Sequence, residues 1–279
     1  MQYEKRGYLL DDFKIFSLSD SRAIQYNFHY HDFHKILLFI KGNVTYHIEG
    51  KAYRLEPYDI VLVPSGDVHK PVLNDNSVYE RVIIYISDLF LEHFSTKECN
   101  LRQFIEYAGA ENTNVVRYTL SGEAEQTASV INELLKTLSF AGFGSELLQK
   151  ALLLELLVRL NRICLDDAAA LLRTDTANPH ILTVLEYINR NLSEDLSIAA
   201  ISDKFFMDKY YLMHLFKKET GFTIGNYITC KRLSRVDELI KRGLRVTEAC
   251  FECGFKNYST FSRAYKKYYN ASPRMRLKD

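Results

Sequence analysis

Leu196–Gly221, LSIAAISDKFFMDKYYLMHLFKKETG, and Arg245–Pro273, RVTEACFECGFKNYSTFSRAYKKYYNASP, are two copies of one pattern. Each starts with a short helix of apolar period, breaks, and resumes with a second helix that opens on polar and aromatic residues. Each second helix closes on a basic run, Phe216-Lys217-Lys218 in the first copy and Tyr265-Lys266-Lys267 in the second. A helix-turn-helix needs this layout: one helix braces against the nucleic-acid backbone, and the next carries its N-terminal side chains into the major groove. Between the copies, Ile224–Arg242 predicts a long amphipathic helix. As a rigid connector it would hold two recognition helices about 34 Å apart, one turn of B-DNA. A further helix over His180–Asn191 precedes the first copy.

One such pattern is a weak signal, because amphipathic helix pairs are common. Here the matches continue in order: Leu196-Ser197-Ile198, Tyr211-Leu212 with Leu215-Phe216-Lys217, Gly221, and Tyr227-Ile228 with Arg232-Leu233. They go on through Gly254-Phe255 with Ser259 and Phe261, then Ser262-Arg263 and Ser272-Pro273. From about Pro179 to the C-terminus the chain resembles the DNA-binding domain of the AraC family of bacterial transcription regulators. The resemblance implies an all-α C-terminal domain with two helix-turn-helix motifs, double-stranded promoter or operator DNA as partner, RNA polymerase as a second partner, and activation as the usual outcome.

Spacing puts Lys209, Tyr210, Met213, His214 and Lys217 on one face of the first recognition helix and Tyr211, Leu212, Leu215 and Phe216 on the core face. The resemblance places base contacts at Tyr210, Met213 and His214. Met213 has no hydrogen-bonding group, so it reads a thymine methyl or DNA shape, or is a half-exposed filler. His214 suits a guanine edge or a phosphate. In the second helix, Asn257, Tyr258, Ser259, Ser262, Arg263 and Lys266 line the outer face, and Phe261 and Tyr265 the inner one. The planar fork of Arg263 matches guanine O6 and N7, with a phosphate clamp as the alternative. Lys217, Lys218, Lys266, Lys267, Arg274 and Arg276 are expected at phosphates, where they give salt-dependent affinity rather than specificity. Ser197 and Thr247, near helix starts, could aim backbone N–H groups at phosphate.

The first half reads as β. Ile36–Ile40, Val44–Ile48, Ile60–Val63 and Val78–Ile86 predict strands, with turns at Glu49-Gly50-Lys51 and Pro64-Ser65-Gly66. In Val44–Ile48 the alternation puts Val44, Tyr46 and Ile48 on one face and Thr45 and His47 on the other. Within this half, His29-Tyr30-His31 with Gly42, and Pro64-Ser65-Gly66-Asp67-Val68-His69, resemble the two motifs of the cupin-like effector-binding domain of AraC-type regulators. Lys35 stands where metal-dependent cupins carry a glutamate, and its ammonium would repel a divalent cation. No metal or other cofactor is therefore expected, although His29, His31 and His69 remain weak candidates for zinc or nickel. The favoured reading is a small-molecule pocket in which His29, His31, Lys35, His69 and Tyr46 bind an effector, a carbohydrate suiting the aromatic and imidazole groups. Tyr53 and Tyr58 are further wall candidates, and His34 is an extra histidine nearby.

After Asp88 the pattern turns helical: Leu101–Tyr107, a helix from Glu123 to about Phe140 capped by Ser121, and Glu146–Leu165. The last carries Leu147, Leu148, Leu152, Leu153, Leu154, Leu156, Leu157 and Leu160, more than one buried side requires. Two readings follow: a homodimer interface shared with the helix from Glu123, which the resemblance favours, or tight packing on the chain's own barrel.

The whole chain therefore reads as α+β: a cupin-like barrel with a helical dimerisation segment over residues 1–172, a linker over 173–179, and the DNA-binding domain over 180–279. Its net charge of +1 hides an asymmetry. Residues 178–279 hold 18 Lys and Arg against 11 Asp and Glu, leaving 18 against 24 in residues 1–177. A basic module joined to an acidic one suits a polyanion binder with a separate sensor. The N-terminus lacks a signal-peptide apolar run, no stretch has the length of a membrane span, and the five cysteines include no paired zinc set, so a cytoplasmic protein with no membrane partner is expected. Ser65 lies outside any G-x-S-x-G elbow, and no phosphate-binding Gly loop occurs, so no enzyme is expected. The alternatives are a metal cupin enzyme fused to a DNA-binding tail, which Lys35 weakens, and a DNA-binding protein that no effector controls.

Overall fold

The computed structural model describes residues 4–5, 9, 11–20, 25–110, 113–117, 122–138, 142–165, 176–269 and 271–273. The β part comprises β1 (Glu4–Lys5), β2 (Phe13–Asp20), β3 (His29–Tyr30), β4 (His34–Lys41), β5 (Val44–Ile48), β6 (Lys51–Arg54), β7 (Ile60–Val63), β8 (His69–Leu73), β9 (Tyr79–Ile86), β10 (Val115–Val116) and β11 (Thr176–Ala177). They form two sheets, ordered β1-β3-β8-β5-β6-β11 and β10-β7-β4-β9-β2.

Strand β4, HKILLFIK, shows why the sequence folds this way. It is buried along most of its length because both of its faces are covered. Leu37 and Phe39 face the other sheet, in a core with Tyr46, Ile48, Tyr53, Val61, Val63 and Tyr79. Ile36 and Leu38 face outward with Ile60, Leu62, Val82 and Ile84. That outer face packs against α1 (Asp88–Phe94), α2 (Gln103–Ala110), α3 (Gly122–Leu138) and α4 (Ser145–Leu165). In β5 the expected alternation holds: Val44, Tyr46 and Ile48 are buried, and Thr45 and His47 are half-exposed.

The helical half consists of α5 (Pro179–Arg190), α6 (Ile198–Phe205), α7 (Lys209–Thr220), α8 (Ile224–Lys241), α9 (Val246–Glu252) and α10 (Tyr258–Tyr269). These are the two expected helix-turn-helix units with α8 between them. Local chemistry sets their ends. Ser197 caps α6 by accepting from Ala200 N at 3.2 Å. Asp208 caps α7 by accepting from Tyr210 N and Tyr211 N, both at 2.9 Å. Gly254 makes the turn after α9 at φ +81°, and a Cβ there would lie 2.4 Å from the Leu192 carbonyl oxygen and 2.8 Å from the Arg232 guanidinium. Gly254→Ala is expected to cost about 1–3 kcal/mol or more through that clash and the left-handed backbone, read as a lower urea midpoint at unchanged slope.

Several expectations are corrected. Tyr211 is 56% exposed and not in the core, where only Leu212, Leu215 and Phe216 of its set are buried. Tyr58 is 62% exposed, on a turn with φ +74°, and so is no pocket wall. Tyr53 is buried but structural: its hydroxyl accepts from Asn114 N at 3.1 Å. Of the leucines in α4, Leu153, Leu156, Leu157 and Leu160 are consumed by the barrel's own outer core, while Leu147 and Leu148 stay exposed. Within the expected linker, Thr176–Ala177 pairs with β6, and Pro179 already belongs to α5. The Ser121 cap, Arg274 and Arg276 lie outside the described residues.

Candidate functional site

On α7, Lys209, Tyr210, His214 and Lys217 are exposed. Met213 is half-buried against the helical core. On and before α10, Asn257, Ser259, Arg263, Lys266 and Lys267 are exposed, whereas Tyr258 is half-buried with its ring 5.5 Å from that of Phe261. Asn257 also has a local task, since its Oδ1 accepts from Thr260 N at 3.1 Å and caps α10. Arg263 Nε donates to Ser259 O at 3.3 Å, and its guanidinium is exposed, so its terminal nitrogens can reach a base or phosphate. If Arg263 reads a guanine, Arg263→Ala costs about 1–3 kcal/mol and relaxes preference at one base pair. An equal loss on every sequence, measured by anisotropy across a mismatch series, would make it a phosphate contact.

Inside the barrel lies a cavity of about 180 Å³, lined by His29, His31, Lys35, Tyr46, Arg81 and Tyr85 among its polar groups, with Leu18, Leu37 and Ile83 among the apolar ones. Lys35 and Arg81 reach it because the inward residues of β4 and β9 alternate with the outward apolar set. Burial, with the Arg81 charge added, pulls the Lys35 ammonium down to about 7, and Nζ donates to Tyr46 Oη at 3.0 Å. Arg81 has its own counter-ion, Asp20, at 2.6 Å. A wider groove of about 980 Å³ runs outside the barrel along Asp11–Ile15 and Glu146–Lys150, but exposed charged side chains dominate its rim.

His29, His31 and His69 converge behind one wall, each offering a ring nitrogen within 4.8 Å of the others. His29 Nδ1 is 2.9 Å from Asn27 O and His69 Nδ1 is 2.9 Å from Asp67 O. Each Nδ1 thus carries the hydrogen and each Nε2 a lone pair, the arrangement that would present a metal ligand or accept from a hydroxyl. Burial first, then the charges of His29, Lys35 and His31, holds the His69 imidazole well below its ordinary value. The three nitrogens fit a three-histidine centre, while the neighbouring cations oppose one. His69 itself does not line the cavity. His34 faces away, pairing with Asp88 Oδ1 at 2.9 Å and accepting from Ser65 N at 3.1 Å, so it is structural.

Sequence reasoning missed the residues that join the two halves. In His29-Tyr30-His31, the histidines turn inward and Tyr30 outward, stacking on Tyr268 of α10 at 4.6 Å and 12°. In Asp67-Val68-His69, Val68 joins the helical core. Asp67 Oδ1 meets Lys231 Nζ of α8 at 2.6 Å. Lys231 also meets Glu49 Oε1 at 3.1 Å, and Tyr227 Oη donates to Glu49 Oε2. Burial works against the Lys231 charge, but the carboxylates of Asp67 and Glu49 outweigh it and hold the ammonium protonated.

A family model described as an AraC-like ligand binding domain matches residues 15–157, and one described as a helix-turn-helix domain matches residues 201–278. The HTH-type transcriptional activator RhaS of Escherichia fergusonii is 25% identical over 252 residues, covering 88% of this chain and 85% of that protein. The uncharacterized HTH-type transcriptional regulator YbfI of Bacillus subtilis is 23% identical over 261 residues, covering 93% and 90%. Among solved structures, ToxT from Vibrio cholerae aligns over 96% of this chain and 98% of its own at 15% identity, with a TM-score of 0.38. The two family models coincide with the barrel and the tandem helix-turn-helix described above, and the chain belongs to the AraC family of transcriptional regulators, not to an enzyme family.

Proposed function

We propose that this protein is a sequence-specific activator of transcription whose grip on promoter DNA responds to a small polar effector, of carbohydrate size, in the barrel cavity. One observation carries the reading: the segments that put His29 and His31 in the cavity wall, and His69 against those two histidines, hold the DNA-binding half with Tyr30, Asp67 and Val68. A ligand that shifts the histidines must shift their immediate neighbours, which is how two sites acquire a coupling free energy. The sensor and dimerisation domain would span residues 1–172 and the DNA-binding domain 180–279, with 173–179 between. Lys209, Tyr210, Met213, His214 and Lys217 from α7, and Asn257, Tyr258, Ser259, Arg263, Lys266 and Lys267 around α10, form the DNA surface. The exposed Leu147 and Leu148 of α4, beside exposed Phe143, support a homodimer. RNA polymerase is the second macromolecular partner and the cytoplasm the working compartment. Among the described residues no helix is long and apolar enough to cross a membrane.

His31→Phe tests the wiring, because it crowds the cavity and leaves every exposed DNA-facing residue in place. We expect DNA affinity to change at least fivefold, the lower end of typical coupling, in anisotropy titrations at fixed salt. Unchanged affinity in a variant that still unfolds cooperatively would mean that the barrel does not speak to the helices.

A further inference from the structure

Among the described residues two side chains that can carry positive charge line the cavity, Lys35 and Arg81, and no Asp or Glu does. Arg81 is neutralised by Asp20 at 2.6 Å. The Lys35 ammonium donates to the Tyr46 hydroxyl at 3.0 Å, and among the described residues no carboxylate forms an ion pair with it. The positions that follow it on the inner face of β4 are Leu37 and Phe39, so an apolar residue would continue the pattern. Burying an ammonium without an anion is costly, and a carboxylate entering the cavity would turn that cost into a hydrogen-bonded ion pair. The rest of the lining wants hydroxyl groups. The phenols of Tyr46 and Tyr85 can donate or accept. The size, about 180 Å³, is below the roughly 300–1,000 Å³ that drug-sized ligands occupy.

From this geometry we infer that the effector is a small hydroxy acid whose carboxylate pairs with Lys35 and whose hydroxyls meet the tyrosines. This inference rests on the regulatory reading above and narrows its ligand from a polar molecule to an acid. Neutral sugars of the same size lack the group that Lys35 requires.

The test uses the full-length protein, stripped of metal with a chelator, and calorimetric titration at pH 6.5. The probes are D-galacturonate, D-gluconate and L-lactate, each against its neutral counterpart, D-galactose, D-glucitol and 1,2-propanediol. At least one acid is expected to bind while its counterpart does not, and Lys35→Met, an apolar replacement that spares the fold, is expected to weaken that acid by roughly thirtyfold or more. Lys35→Arg, which keeps the charge, should retain part of the affinity. Four results would overturn the inference: no acid binds, a neutral counterpart binds equally well, Lys35→Met binds the acid unchanged, or binding appears only when zinc is restored. Binding of a neutral sugar that alters DNA affinity would sink the acid and keep the regulator. An acid that binds through Lys35 without altering DNA affinity would keep the acid and sink the regulator.

Discussion

Replacing Lys231 with methionine is expected to destabilise the folded chain by about 3–5 kcal/mol and to divide its unfolding into two transitions. The side chains of Lys231, Glu49 and Asp67 are 12%, 11% and 17% exposed, so the cluster is shielded from water. Removing the ammonium leaves two carboxylates facing each other in a poorly solvated seam, and a broken buried pair costs far more than an absent one. Glu49 retains the Val68 N–H at 2.8 Å and the Tyr227 hydroxyl, so Asp67 bears most of the loss. Urea denaturation of Lys231→Met, followed with separate probes of the sheet and the helices, checks this. Adding Asp67→Asn should recover part of the stability, because the two substitutions are not independent. A loss below about 1 kcal/mol would place the cluster with exposed ion pairs and remove it as the hinge between sensor and reader.

Lys35→Met should do the opposite and stabilise the ligand-free protein, by on the order of 2–4 kcal/mol near neutral pH. The sign follows from the proton count. In the folded chain Lys35 titrates at about 7, far below its ordinary 10.5. Between those values the unfolded chain holds the proton and the folded chain does not, so wild-type stability rises with pH across that window. Above it Lys35 is neutral in both states and its penalty is gone; at and below pH 7 the penalty is complete. The advantage of Lys35→Met is therefore largest at pH 7 and below and fades towards pH 10.5. Melting curves of both proteins at pH 6, 8 and 10 check it. A pH-independent difference, or a destabilised variant, would show that Lys35 holds the barrel together through Tyr46.

The helical half was legible because its apolar residues recur at helical period and its family-matching glycines, Gly221 and Gly254, stand at turns with positive φ. The barrel was legible where strands are apolar on both faces, as in β4, β7 and β9, or alternate cleanly, as in β5. β6, KAYR, is short and polar, β2 alternates weakly because it forms one edge of its sheet, and β8 carries Pro71, which argues against a strand. The candidate histidines came from the resemblance of their two motifs to a cupin-like domain, but the seam had no such motif. Lys231, Glu49 and Asp67 are ordinary surface types whose partners lie more than 160 residues apart in sequence. One signal was available: in His29-Tyr30-His31, inward histidines force Tyr30 outward, onto something. Tyr211 misled because helical spacing puts it beside Leu212 and Leu215, whereas the Asp208 cap and the turn before α7 leave that side open to solvent.

Selection of random duplex DNA by the full-length protein, at fixed physiological salt, tests the central claim most directly. The expected result is enrichment of a motif with two blocks of preferred bases about one helical turn apart, one for α7 and one for α10, repeated as half-sites if the protein dimerises. Binding that enriches no sequence and vanishes steeply as salt rises would contradict it, leaving a basic surface that holds phosphates without reading bases.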